Sequence, residues 1–163
     1  MASPAIASLG WIAPDEGVSD AAESLRKLFA PSEEASSSFS DLDRLRAFEA
    51  LQQAFVEANT ENWDGEGGEP ADAMSYRYAL LLIQSLPRWA PNPEASVDPD
   101  GEISLEWDWG RRSIFSVSIG RDGTLTYAGL FGVSKQHGVE NFADDIPEGI
   151  LSGIRRASFN APR

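Results

Sequence analysis

The sequence has no cysteine and a single histidine among its 163 residues. Without cysteine the chain cannot form disulfides, thiolate nucleophiles, iron–sulfur clusters or cysteine-ligated zinc sites. One histidine also excludes a multi-histidine metal centre. The longest uninterrupted apolar run, residues 79–83, is far shorter than the roughly 18 residues typical of a membrane-spanning helix. We therefore expect no cofactor and no membrane partner.

Basic residues are scarce as well. The chain has 13 Lys and Arg against 26 Asp and Glu, which gives a formal net charge of −13. Duplex DNA and anionic membranes both require a basic protein face, so the charge predicts no direct nucleic-acid ligand. The first 14 residues contain no Lys or Arg, unlike a secretory signal, and we expect a cytoplasmic protein.

The first part of the chain differs in composition from the rest. Residues 1–39 are rich in Ala, Ser and Pro, which predicts a flexible arm rather than a packed domain. A short helix is predicted near residues 21–29, because Asp20 is a suitable N-cap. Leu25, Leu28 and Phe29 share one face of that helix. This apolar face is a secondary candidate for partner binding.

Residues 40–163 are predicted to form one domain that begins with two helices. Ser40 is the expected N-cap of the first helix, which should end near Ala58. Asp72 is the expected N-cap of the second, which Pro87 should close. The apolar residues at spacings of three and four are Leu42, Leu45, Phe48, Leu51, Phe55 and Val56 in the first helix and Met74, Tyr78, Leu81, Leu82 and Leu86 in the second.

After the second helix, the spacing of apolar residues changes from a period of 3.6 residues to one of two residues, which indicates strands. Strands are predicted around residues 95–97, 103–109, 112–119 and 124–131, with a loop over 132–145 and a last helix over 146–157. Helices followed by a run of strands are typical of an α+β fold. We therefore predict an α+β domain: two helices, a three- to four-stranded antiparallel meander, and a C-terminal helix packed on one face of the sheet.

The segment Asn62-Trp63-Asp64-Gly65-Glu66-Gly67 resembles an uncharacterised family of small acidic bacterial proteins that share an NWDGxG motif. The resemblance extends over residues 45–157 and includes Leu86-Pro87 after the second helix and the strand at residues 126–131. It implies a similar order of helices and strands and a bacterial source, but no activity. Gly68 departs from the commoner pattern of that family.

Two groups of polar residues could carry chemistry. Asp64, Glu66 and Glu69 lie close enough in sequence to bind a hard cation, although their spacing is not that of an EF-hand. A turn in which Asn62 and Asp64 bond to local backbone and Gly65 has a positive φ explains the same residues. His137 lies in a predicted loop without a recognisable nucleophile motif near it, so we expect no catalytic residue and no metal site.

Charge distribution is the most informative remaining feature. Residues 93–110 contain six acidic residues and no basic one. Glu102, Glu106 and Asp108 alternate with apolar residues along one strand and should point to solvent. Together with Asp64, Glu66 and Glu69 they are the candidate partner-binding residues.

These features predict a non-catalytic protein-interaction module of the antitoxin, immunity or inhibitor type. Its partner would be a basic protein, including one that itself binds nucleic acid. Two alternatives stay open at this point. One is a hydrolase or metal-dependent enzyme that uses the Asp64, Glu66 and Glu69 loop. The other is a structural subunit of a larger bacterial assembly. The oligomeric state does not follow from the sequence.

Overall fold

The fold is known from a computed structural model that describes residues 33–110, 112–143 and 145–159, with the side chains of 33–40 and 159 left out. The predicted short helix near residues 21–29 lies outside the described residues, as do Leu25, Leu28 and Phe29. The chain divides into two units, Met1–Ser37 and Ser38–Arg163. The sheet and the helices Ala73–Ser85 and Glu148–Phe159 lie in the second unit.

The described elements follow one another as helices, then strands, then a helix. They are α1 (Glu33–Glu57), α2 (Ala73–Ser85), β1 (Glu94–Val97), β2 (Ile103–Asp108), β3 (Ser113–Ile119), β4 (Thr124–Phe131), β5 (Ser134–Asn141) and α3 (Glu148–Phe159). The strands form one antiparallel sheet in the order β1-β2-β3-β4-β5. This confirms the predicted α+β class and meander.

The sheet has five strands, so the predicted loop over residues 132–145 is wrong. Residues 134–141 form β5, and His137 lies on this strand rather than in a loop. The segment lacks apolar alternation because the positions that face the helices are Gln136, Gly138 and Glu140. It is held as a strand by its pairing with β4 through a turn at Gly132-Val133, in which Gly132 has φ +66°.

One face of the sheet and the helices form the core. Apolar side chains on alternating positions of β2 and β3 are fully buried there, and α3 packs across β2, β3 and β4. Gly153 allows this close approach, because a Cβ at that position would lie 2.1 Å from the ring of Phe115. The largest fully buried residues are Trp107, Phe115, Leu51, Leu82, Ile83, Ile103, Leu105, Ile119, Leu125, Ile150, Ile154 and Val117.

Helix α1 differs from its prediction in both its start and its buried face. It begins at Glu33 rather than after an N-cap at Ser40, because Ser costs a helix only a few tenths of a kcal/mol. Leu42, Leu45 and Val56 are exposed, since they lie roughly 120–180° around the helix axis from the buried Leu51. Small residues are buried instead: Ala47 within the helix and Ala58 directly after its end.

Helix α2 starts where the sequence predicts. The Oδ1 atom of Asp72 accepts hydrogen bonds from the backbone N–H groups of Met74 at 2.8 Å and Ser75 at 3.1 Å. The helix ends at Ser85, two residues before Pro87, which cannot continue it. Of its predicted apolar face, Leu82 and Leu86 are buried whereas Met74 and Leu81 are exposed.

Candidate interaction surface

The second face of the sheet is turned away from α2 and α3, and we call it the open face. Its side chains alternate with those of the core along each strand. They are Glu94 and Ser96 on β1, Ser104, Glu106 and Asp108 on β2, Ile114, Ser116 and Ser118 on β3, Thr124, Thr126, Ala128 and Leu130 on β4, and Lys135, His137, Val139 and Asn141 on β5. None of these residues is fully buried.

Three carboxylates of the open face form what we call the acidic strip: Glu94, Glu106 and Asp108. The strand register places Glu94 directly opposite Glu106. Like charges in this arrangement destabilise a sheet, because directly opposed Cβ atoms are only about 5 Å apart. Among the described residues, no Lys or Arg lies within salt-bridge distance of any of the three. Within the described ranges the strip is therefore a negative surface without a salt-bridge partner.

Glu102 lies on the same side of the sheet but is hydrogen-bonded rather than free. The hydroxyl of Ser118 lies 2.8 Å from its Oε2 atom and 3.0 Å from the Oδ2 atom of Asp98. One hydroxyl proton can be donated to only one of these carboxylates at a time. Burial raises the pKa of Asp98; hydrogen bonds from Ser118 and Ser104 lower it, and the nearby charge of Asp100 raises it.

The prediction that Glu102, Glu106 and Asp108 all point freely to solvent was therefore too simple. Asp108 is exposed, although its Oδ1 atom accepts the backbone N–H of Gly110 at 2.6 Å. Glu106 and Glu102 are half-buried. The alternation along β2 predicted that these three carboxylates lie on one side of the sheet, but it did not reveal Glu94 as the fourth. In the sequence, only the count of acidic residues pointed to Glu94, because the register of a four-residue strand cannot be inferred from its sequence.

The opposite end of the open face has a different character. Lys135 and His137 project from β5, about three strand spacings or roughly 14 Å from β2. That separation exceeds the Debye length of about 8 Å at physiological ionic strength, so these side chains do not neutralise the acidic strip. A shallow depression of about 340 Å³ adjoins this end. Its lining includes Ile114, Ala128 and Leu130 as well as Lys135 and His137.

The loop that carries the NWDG motif is held by its own side chains. The backbone N–H groups of Glu66 and Gly68 both donate to Oδ1 of Asp64 at 2.9 Å, and that of Gly67 donates to Oδ1 of Asn62 at 2.8 Å. Asn62 and Gly65 have φ values of +58° and +79°. The bonds from Glu66 and Gly68 are also the main reason that the pKa of Asp64 is lowered.

The same loop is anchored at both ends. The indole N–H of Trp63 donates to the carbonyl of Glu69 at 3.0 Å, and the ring packs against the core. The backbone N–H of Glu69 donates to Pro99 in the turn before β2 at 2.8 Å. These contacts agree with the structural interpretation of the motif. The bond between Glu69 and Pro99 also holds the loop beside the turn that precedes Glu102 and β2.

Asp64, Glu66 and Glu69 do not converge on a common point. One oxygen of Asp64 is already occupied by two N–H donors, whereas Glu66 and Glu69 are exposed. In the part of the chain that the structure describes, no three Asp, Glu or His side chains form a group that could hold a metal ion. The hydrolase or metal-enzyme alternative stays a prediction for which these contacts provide no geometric support.

Comparisons with known proteins give no match. No family model, curated protein or solved structure matches this chain. The resemblance to proteins with an NWDGxG motif therefore stays a prediction. None of the helices in the described ranges is long and apolar enough to span a membrane.

Proposed function

We propose that this chain is a non-catalytic interaction module that binds a basic partner protein through the acidic strip. The observation that carries the proposal is the direct opposition of Glu94 and Glu106 on the open face. Two like charges at this spacing cost up to about 1 kcal/mol of fold stability. A cationic partner would offset that cost, whereas solubility alone does not require the carboxylates to be opposed.

The neighbouring surface supports a protein partner rather than a small ligand. Asp108 continues the strip along β2, about 6.6 Å from Glu106 at 3.3 Å per residue. The apolar depression at Ile114 and Leu130 adjoins the strip, since Asp108 is paired with Ile114. Charged residues beside a shallow apolar area are typical of a protein interface with a polar rim.

The predicted type of module stays the same: an antitoxin, an immunity protein or an inhibitor. The partner would present Lys and Arg, as a protein that otherwise binds nucleic-acid phosphates does. The negative charge of this chain, −13, would act over the whole approach and raise the association rate more than the affinity. A structural subunit of an assembly has no specific observation in its favour.

The test begins with recovery of a stoichiometric partner from cells of the native host by affinity purification. The association rate of that partner is then measured with the triple variant Glu94→Gln, Glu106→Gln, Asp108→Asn. We expect it to fall about tenfold at low salt and to lose most of its salt dependence, since electrostatic steering commonly contributes 10-fold or more. Folding should be retained, because Glu94 and Asp108 are exposed and loss of the repulsion between Glu94 and Glu106 does not destabilise the sheet.

A matched control distinguishes the effect of the acidic strip from the effect of net charge on the association rate. The variant Asp41→Asn, Glu49→Gln, Asp145→Asn removes the same three charges at exposed positions outside the sheet. It should slow association much less than the acidic-strip variant. Equal rates for the two triple variants would show that the strip is ordinary solvated surface, and an acidic or neutral stoichiometric partner would also contradict the proposal.

A further inference from the structure

The outer edge of β5 carries backbone groups that have no partner among the described residues. Phe131 and Ser134 face each other across a two-residue turn, so they form a hydrogen-bonded pair. Pairing alternates along an antiparallel ladder, and the next bonded residues of β5 are 136, 138 and 140. The N–H of Phe142 donates to the carbonyl of Gly123 at 2.9 Å, which continues this series. Residues 135, 137, 139 and 141 therefore direct their N–H and C=O groups away from the sheet.

The two edges of the sheet are not equivalent. β1 has four residues and is preceded by Pro91 and Pro93, and short edge strands with nearby proline resist further pairing. β5 has eight residues and no proline. Its exposed edge is long enough to template another strand.

We propose that β5 pairs antiparallel with β5 of a second copy of this chain and forms a two-fold symmetric dimer. The two five-stranded sheets would then become one continuous sheet. The dyad passes through Gly138, so that His137 of one copy lies opposite Val139 of the other and Lys135 lies opposite Asn141. This dimer uses the edge opposite the acidic strip and does not depend on the proposed function.

Hydrogen bonding favours this register over its neighbours. All four outward-facing residues of each strand, 135, 137, 139 and 141, pair with an outward-facing residue of the second copy. A shift by two residues in either direction leaves one of the four without a partner. A shift by one would place the core side of one strand beside the open face of the other.

Charge complementarity selects the same register. On the side of the helices, Glu140 of one copy lies opposite Gln136 of the other. Gln136 accepts a hydrogen bond from Nη1 of Arg156 at 3.0 Å, and no carboxylate within the described ranges lies within salt-bridge distance of this guanidinium. Opposed side chains start only about 5 Å apart, so Glu140 can reach Arg156 of the second copy. A two-residue shift would instead place Glu140 opposite Ser134 or Gly138.

The open-face side of the contact contains no opposing like charges. Lys135 meets the neutral Asn141, and His137 covers Val139, which is 66% exposed in one copy. Pairing would remove part of this apolar side chain from water. In one copy the Tyr127 hydroxyl donates to Oε1 of Glu140 at 3.3 Å, and the Arg156 guanidinium lies over the Phe131 ring. The dimer would bring these two opposite charges together and cover an exposed valine with one symmetric contact.

The first experiment measures the mass of the full chain by sedimentation over roughly a hundredfold range of concentration, since dimerisation follows mass action. We expect a reversible monomer–dimer equilibrium. Val139→Pro removes an outward N–H that β4 does not use, so it should abolish the dimer and leave the monomer folded. Val139→Thr is the matched control and should retain it. A wild-type chain that stays monomeric throughout would overturn the proposal.

A cross-linking experiment tests the register even if the proline variant fails to fold. Because the chain has no cysteine, introduced thiols report a single contact. Hydrogen-bonded antiparallel partners have Cα atoms about 5.5 Å apart, within the range of a disulfide. A mixture of His137→Cys and Val139→Cys chains should form a mixed disulfide, whereas each variant alone should not. Cross-links in both single variants, or none in the mixture, would contradict this register.

Charge reversal tests the contact between Glu140 and Arg156. Glu140→Arg and Arg156→Glu should each weaken the dimer about tenfold or more, because each replaces two attractive contacts by repulsive ones. The double variant carries both reversals and should regain most of the lost affinity. Failure of the double variant to recover, with both single variants folded, would show that these charges do not meet.

Discussion

The two faces of the sheet are formed by the same strands but differ in how their side chains are packed. On the covered face, Phe115 and its neighbours are fully buried, and α3 comes so close that only glycine fits at position 153. On the open face, carboxylates lie opposite each other and an apolar depression stays accessible. The covered face is therefore optimised for packing. The open face retains an unfavourable pairing of like charges, which the proposed basic partner would offset.

The largest expected effect comes from adjacent residues of β3 that lie on opposite faces. Phe115→Ala should lower the free energy of unfolding by about 3–5 kcal/mol, because it leaves a cavity in the packed core. Ile114→Ala, one residue away on the open face, removes a half-buried side chain and should cost only about 1–2 kcal/mol. Urea titrations of both variants check this, and equal losses would contradict the asymmetry between the faces.

A smaller effect is expected where α3 touches the sheet. Gly153→Ala should lower the free energy of unfolding by about 1–3 kcal/mol, because the new methyl group would overlap the ring of Phe115. Ser152→Ala is a suitable control one position earlier on the same helix. Thermal unfolding of the two variants measures the difference. A Gly153→Ala variant at least as stable as the parent would mean that the helix moves away from Phe115 without cost.

The opposed carboxylates provide a smaller test, which only a double-mutant cycle resolves. Glu94→Gln and Glu106→Gln should each raise stability, by about 0.2–1 kcal/mol, because either one removes the same repulsion. The double variant should gain little more than either single variant. This non-additivity should weaken at high salt, where the repulsion is screened. Fully additive gains would show that the two side chains do not interact.

The smallest expected effect concerns Asp98 and is a change in the pH dependence of the free energy of unfolding. Burial raises the pKa of Asp98 in the folded state, so the folded protein holds this proton more tightly than the unfolded chain. Asp98 therefore favours folding below its unfolded pKa and loses that contribution as the pH rises through its folded pKa. Asp98→Asn should make stability less dependent on pH across this window. Urea titrations of the parent and the variant at several pH values measure this, and an unchanged pH dependence of stability would contradict the effect of burial on Asp98.

Local sequence signals were enough for much of the fold. Asp72 caps α2 because its carboxylate satisfies free N–H groups within three residues, a short-range interaction that the sequence reveals. The alternation over residues 103–108 likewise predicted which side chains of β2 face the core. The NWDG loop was also interpretable, since Asn62 and Asp64 bond to backbone groups only a few residues away.

By itself, therefore, the sequence determined the α+β class, the negative charge and the turns, because these depend on composition and on neighbours along the chain. The tertiary structure alone decided that Glu94 opposes Glu106 and that residues 134–141 form an edge strand. Strand register and edge pairing arise from contacts between residues far apart in sequence. A segment such as β5 has little apolar alternation, and it forms a strand because its backbone groups hydrogen-bond to β4.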